Sequence, residues 1–170
     1  MVCFCVLYVE NLLPLGIDLL FIWAMKKTLV DLFEESVRNY PNNTFLLEKT
    51  SKKYTPTTYA QVQKQVYRIG AGLQALGVQK GDTMALLSEG RNMWIIGELA
   101  MFYAGAVNVP LSIKLEESND LLFRLIHGDV KYIMVSGQQL KKIRLIKDQL
   151  PAVKKIIVFD EVKEYEDREM

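Results

Sequence analysis

The chain of 170 residues is poor in the residue types that usually announce chemistry. Its two cysteines, Cys3 and Cys5, form a lone C-x-C with no second pair and no nearby histidine. A structural zinc site takes about four ligands, so no metal is expected, and nothing demands a disulfide. A reducing, cytoplasmic setting is the expectation that follows. The one histidine, His127, stands near the end of a helical stretch, just before Gly128-Asp129. With no Ser or Cys nucleophile motif to serve, it reads as a helix-terminal charge rather than a base. Charge of one sign is lacking too, since 21 Lys plus Arg face 20 Asp plus Glu. No net field argues for nucleic acid, and none is expected as a partner.

Long apolar runs are also missing, even where the composition comes close to one. Residues 1–24 are rich in Leu, Ile, Val and aromatics and hold no Lys or Arg. A secretory signal needs a basic start, which excludes that reading. A spanning helix needs about 20 apolar residues in a row, and Glu10, Asn11, Pro14 and Asp18 interrupt this stretch. Two readings stay open. The segment is a membrane-surface anchor, giving a peripheral membrane contact, or it is an extension upstream of a start at Met25. The second is the expectation, with 1–24 an apolar leader outside the fold and 25–170 the folded part.

What is present is an ordinary globular composition, 50% hydrophobic and 24% charged, with regular punctuation from Thr28 onward. Thr28 and Asp31 make an N-cap pair, and a helix follows until Tyr40-Pro41-Asn42. Thr44–Lys49 and Lys53–Thr57 read as a β-hairpin. Thr58 and Gln61 form a capping box. Behind it Tyr59, Val62, Val66, Ile69, Leu73 and Leu76 share one helical stripe, which should lie against a sheet, and Gly77 closes the helix. Thereafter strands at Thr83–Leu87, Val107–Val109, Tyr132–Val135 and Ile156–Phe159 alternate with helices at Met93–Tyr103, Ser118–Ile126 and Gln138–Leu150. Met93–Tyr103 is apolar nearly all round, so it should be buried on most sides. Parallel neighbours need crossover connections, so the expected fold is α/β, an open mainly parallel sheet with crossover helices plus an N-terminal β-hairpin.

Few residues offer themselves as a site. Arg91 and Trp94 follow a strand end, where open α/β sheets place ligands, and they are the substrate-binding candidates. The plainer alternative makes Trp94 core and Arg91 surface charge. Ser136-Gly137-Gln138-Gln139 joins a strand to a helix and offers an anion at most a weak hold, because it lacks a phosphate loop's glycines and terminal lysine. Lys141, Lys142, Arg144, Lys147, Lys154 and Lys155 read either as a phosphate or lipid-headgroup patch or as a solvated helix face. The apolar residues between them keep helical spacing, which favours the solvated face. No catalytic residue, cofactor-binding residue or metal ligand is identified.

The order of four short motifs carries a resemblance. Lys53-Tyr54-Thr55-Pro56-Thr57-Thr58-Tyr59-Ala60-Gln61-Val62 is similar to the Y-T-Y-x-E-L element of adenylate-forming enzymes. Gly77-Val78-Gln79-Lys80-Gly81-Asp82 resembles their L-G-V-x-K-G-D, and Ala85 to Trp94 resembles A-x-x-S-x-N-x-x-x-W. Phe102-Tyr103-Ala104-Gly105-Ala106-Val107-Asn108-Val109-Pro110-Leu111 resembles A-G-A-V-x-V-P-L. Most of these are scaffold residues. The chain thus resembles the N-terminal portion of an AMP-forming acyl-CoA synthetase of the long-chain fatty acid–CoA ligase type, in the AMP-binding family.

That resemblance implies ATP, Mg²⁺ and CoA as the full-length enzyme's cofactors and co-substrates, a fatty acid as substrate, and the remainder of the AMP-binding domain as partner. The family's Ser/Thr/Gly-rich phosphate loop, later acidic metal residue, ribose-binding Asp and C-terminal catalytic Lys find no match in these 170 residues. The expectation is therefore an incomplete N-terminal subdomain, inactive alone and prone to self-association. An adenylation domain of a carrier-protein system and a non-catalytic small α/β binding module are the alternatives.

Overall fold

The computed structural model describes residues 27–50 and 52–161, so the expected leader over 1–24 lies outside the described residues. Helix α1, Leu29–Asn39, starts at a reciprocal capping box. The Asp31 N–H donates to Thr28 Oγ1 at 3.1 Å and the Thr28 N–H donates to Asp31 Oδ2 at 2.8 Å. Strands β1, Thr44–Thr50, and β2, Lys53–Thr58, pair antiparallel as the expected hairpin. Helix α2, Tyr59–Ala75, opens on a second capping box, Thr58 with Gln61, and closes at Gly77. The φ of +95° at Gly77 explains why glycine stands there.

The rest is a four-stranded parallel sheet wound by its crossovers. Strand β3, Thr83–Leu87, is followed by α3, Asn92–Tyr103, and β4, Val107–Leu111. A π turn, Glu117–Leu121, runs into α4, Leu122–His127, and then into β5, Tyr132–Val135. Helix α5, Leu140–Ile146, and a 3₁₀ turn, Lys147–Gln149, precede β6, Lys155–Val158. The spatial order is β4-β3-β5-β6 with every pair parallel. Alternate residues of the central strands face opposite ways. Met84, Leu86, Tyr132 and Met134 join the core cluster that holds α2 and α3 residues. Ala85, Leu87, Ile133 and Val135 join the cluster of α4 and α5. Both faces are covered, which is why β3 and β5 read as continuous apolar runs.

The departures from the sequence pattern are local and have physical reasons. Strand β4 continues through Pro110 to Leu111 instead of ending at Val109. It is an edge strand with one neighbour, and an edge accepts a proline wherever the missing N–H is not needed. Strand β6 begins one residue earlier than expected and ends at Val158. The helix expected over Gln138–Leu150 is shorter and tightens into the 3₁₀ turn. On α2, Val62, Val66 and Leu73 are buried, but Leu76 at the C-cap is 46% exposed. Their stripe packs mainly against α3, itself buried or half-buried at every residue, and so reaches the sheet as part of one cluster.

One carboxylate ties the three N-terminal helices together. Glu34 of α1 accepts from the Tyr67 hydroxyl at 2.8 Å and from Gln63 Nε2 at 2.8 Å, both on α2. It also accepts from the Tyr103 hydroxyl of α3. Burial and then the Glu34 carboxylate push the Tyr103 hydroxyl far above its ordinary range, so it stays a donor at any physiological pH. Among the described residues no helix is long and apolar enough to cross a membrane.

Candidate functional site

Helix α3, which follows β3, packs on one face of the sheet, and α5, which follows β5, packs on the other. Because β3 and β5 are neighbours, their C-terminal ends flank the topological switch point, where open α/β sheets place ligands. Three loops meet at this edge: Ser88 to Arg91 after β3, Ser136 to Gln139 after β5, and Phe159 to Glu161 after β6.

Their polar side chains bind one another. Arg91 Nη1 donates to both oxygens of Asp160, at 2.8 and 3.0 Å. The Gly137 N–H donates to Asp160 Oδ2 at 2.8 Å. Across the crevice Gln139 Nε2 donates to Glu89 Oε1 at 2.7 Å. The Gly137 N–H, reinforced by Arg91 and opposed by desolvation, holds the Asp160 carboxyl below its ordinary range. Burial would raise the Glu89 carboxyl, but hydrogen bonds from Gln139 and the nearby backbone outweigh it, with help from Arg91. Both groups are therefore carboxylates at neutral pH.

This edge does not fit the triphosphate of a nucleotide. The N–H that a phosphate would need at Ser136-Gly137 already serves the chain's own carboxylate, and Glu89 adds a second negative charge. The weak anion hold read from Ser136 to Gln139 is thus taken up internally. Among the described residues no three His, Cys, Asp or Glu side chains gather where they could hold a metal ion.

A second concavity lies beside the same loops, between the hairpin and the start of α3. It is an open groove of about 550 Å³ whose lining includes Phe45, Leu46, Tyr54, Arg91, Trp94 and Ile95. Asn92 fixes its base: its N–H donates to Glu48 at 3.4 Å and its Nδ2 donates to Thr57 Oγ1 at 3.3 Å. The two candidates from the sequence, Arg91 and Trp94, both line this groove. They differ in freedom. Trp94 is half-buried with one side on the core, whereas the Arg91 guanidinium is committed to Asp160. His127 lies away from both places, exposed and stacked on Phe123 with centroids 5.4 Å apart. Glu89 and Asp160 are not among the residues the sequence offered, and Gln139 entered only within the weak anion-holding turn Ser136 to Gln139. Their signal was position, each standing within four residues of the end of an apolar strand.

The match to known proteins is broad. The family model described as AMP-binding enzyme matches residues 33–170. The chain belongs to the AMP-binding enzyme family. A long-chain-fatty-acid–CoA ligase of Xenopus laevis is 29% identical over 141 residues, which is 81% of this chain and 19% of that ligase. A nonribosomal peptide synthetase of Aspergillus fumigatus is 38% identical over 86 residues, 51% of this chain and 4% of the synthetase. The fold matches the crystal structure of a long-chain-fatty-acid–CoA ligase from Archaeoglobus fulgidus with a TM-score of 0.73 and 15% identity, covering 81% of this chain and 28% of that one. The chain thus spans about a fifth of the length of the Xenopus relative, and its fold is that of the N-terminal subdomain of such ligases.

Proposed function

We propose that this chain supplies the N-terminal part of the large domain of a long-chain fatty acid–CoA ligase, a cytoplasmic enzyme in this reading. In the whole ligase, ATP and a fatty carboxylate give an acyl-adenylate and pyrophosphate, and the CoA thiol then displaces AMP. The likeness to the Xenopus ligase carries the reading, because it extends over 81% of the chain rather than over one motif. Both steps depend on neutralising phosphates and polarising a carboxyl group, which is electrostatic work. At the switch point the described residues offer two carboxylates and one guanidinium already committed to Asp160, so in this reading the chain alone contributes no adenylation chemistry. Its own part is scaffold: the parallel sheet, the Arg91–Asp160 link that holds three loops in place, and one groove wall. In that groove Trp94, Phe45 and Ile95 offer apolar surface suited to part of a substrate, with Arg91 positioning the loop rather than meeting the acid.

A second reading is favoured by the 38% identity to the peptide synthetase, namely an adenylation domain that serves a carrier protein. Val107-Asn108-Val109-Pro110 is closer to the acyl-CoA ligase form than to the A-Y-V-P usual in amino-acid-activating domains, and this ranks the second reading below the first. ATP–pyrophosphate exchange with Mg²⁺ distinguishes them. The assay is run with palmitate and with amino acids, on the chain alone and on the chain joined to the remainder of a family domain. Silence from the chain alone and palmitate-dependent exchange from the joined protein are expected. Exchange by the chain alone overturns the scaffold reading, and exchange with amino acids only overturns the ligase reading.

A further inference from the structure

At the N-terminal edge of the sheet, opposite the edge that carries Glu89 and Asp160, a cavity of about 210 Å³ opens between the 3₁₀ turn and the first residues of β6. Leu150, Val153 and Ile156 give it apolar walls. Its charged groups are Lys147, Lys154 and Lys155 against the single carboxylate of Asp148. The whole chain carries a net charge of only +1, so this excess is local.

All three lysines are exposed. Lys154 has a use within the fold, its ammonium lying 5.4 Å from the centroid of the Tyr132 ring. Lys147 and Lys155 have none: no hydrogen bond or ion pair engages either side chain among the described residues. Three ammonium groups lining one concavity repel each other. An anion in the cavity turns that repulsion into attraction, tempered by the water that reaches the exposed ammonium groups. The ammonium is a compact point-charge partner for phosphate, and the cavity has room for such a group.

We propose that this cavity binds the phosphate group of a phosphomonoester, with Lys147 and Lys155 as its direct partners and Lys154 completing the charge. The phosphate belongs either to a soluble phosphorylated compound or to a lipid headgroup of the phosphatidic acid kind, and the recognising chemistry is the same.

The test titrates inorganic phosphate into the full chain and follows the backbone amide shifts of residues 147–156. Saturable shifts confined to this region are expected. Lys147→Gln combined with Lys155→Gln should weaken binding by about tenfold or more, whereas Lys64→Gln, an exposed lysine on α2, should not change it. The substituted positions are exposed, and an unchanged amide spectrum elsewhere verifies that the fold survives. The second arm is flotation with phosphatidylcholine vesicles, with and without phosphatidic acid. Flotation that needs phosphatidic acid and is lost in the double variant assigns the lipid source. Saturable phosphate binding without such flotation assigns the soluble source. Non-saturable shifts together with flotation indifferent to the double variant overturn the proposal, as does equal binding by the wild type and the double variant.

Discussion

Leu73 and Leu76 stand on the same sequence stripe of α2, and the structure separates them sharply. Leu73 is 2% exposed within the cluster that joins α2, α3 and the sheet, while Leu76 is 46% exposed at the C-cap. Truncating a buried leucine to alanine removes its transfer free energy and leaves a cavity, costing about 2–5 kcal/mol. A loss of about 3 kcal/mol is expected for Leu73→Ala. Thermal midpoints of domains this size fall by roughly 2–4 °C per kcal/mol, so the expected drop is about 6–12 °C. With a urea m-value of about 2 kcal/mol/M the denaturation midpoint should fall by about 1.5 M. Leu76→Ala should stay within about 1 kcal/mol of wild type, because 46% of its surface stays in water and no closed cavity is left behind. Urea titrations of both variants, read by far-ultraviolet circular dichroism and tryptophan fluorescence, give the comparison. Equal losses, or a larger loss at Leu76, would refute the assignment of the buried face.

Three further outcomes are expected. Asp160→Asn should flatten the acid limb of the stability profile. The Asp160 carboxyl is held below its ordinary value by the Gly137 N–H and Arg91. Its contribution is therefore complete above the unfolded value of about 3.9 and is lost as pH falls through the lower folded value. The effect should be modest, because solvent reaches the pair, and thermal midpoints from neutral pH down to about pH 3 measure it. Gly97→Leu should cost about 1–3 kcal/mol, since even a Cβ there would meet the Phe159 ring at 3.0 Å. Adding Phe159→Ala should recover part of that loss, and strict additivity of the two would show that they are not in contact. Deleting residues 1–24 should leave the thermal midpoint unchanged, and a large drop would place the leader in the core.

Much of the scaffold was legible because its signals are local. Both capping boxes, the hairpin, the bounds of β3 and β5 and the left-handed Gly77 depend on residues within a few positions of each other. The end of β4 was misread because being an edge strand is a property of the sheet, not of the sequence around Pro110. Leu76 keeps the spacing of its stripe but stands at the C-cap, beyond the last residue of the helix, and is exposed there. Candidate-site chemistry was least legible. Arg91 and Asp160 lie 69 residues apart, and Glu89 and Gln139 lie 50 apart. Nothing near Arg91 in the chain distinguishes a tethered guanidinium from one that meets a substrate or from a plain surface charge, and the structure makes it a link between loops.

The strand order has a consequence for synthesis. Strand β3 occupies a central position, yet one of its two neighbours, β5, comes 45 or more residues later in the chain, after α3, β4 and α4 have been made. A nascent chain that has emerged only through Leu111 can pair β3 with β4, but the other backbone edge of β3 then has no partner. Met84 and Leu86 likewise lack Tyr132 and Met134 beside them. Parallel pairing over such separations is slow, because a long loop must close before its contacts reward it. The most vulnerable moment on the ribosome is thus the interval before Tyr132–Val135 emerges, when a greasy strand with a bare hydrogen-bonding edge is best shielded by a chaperone.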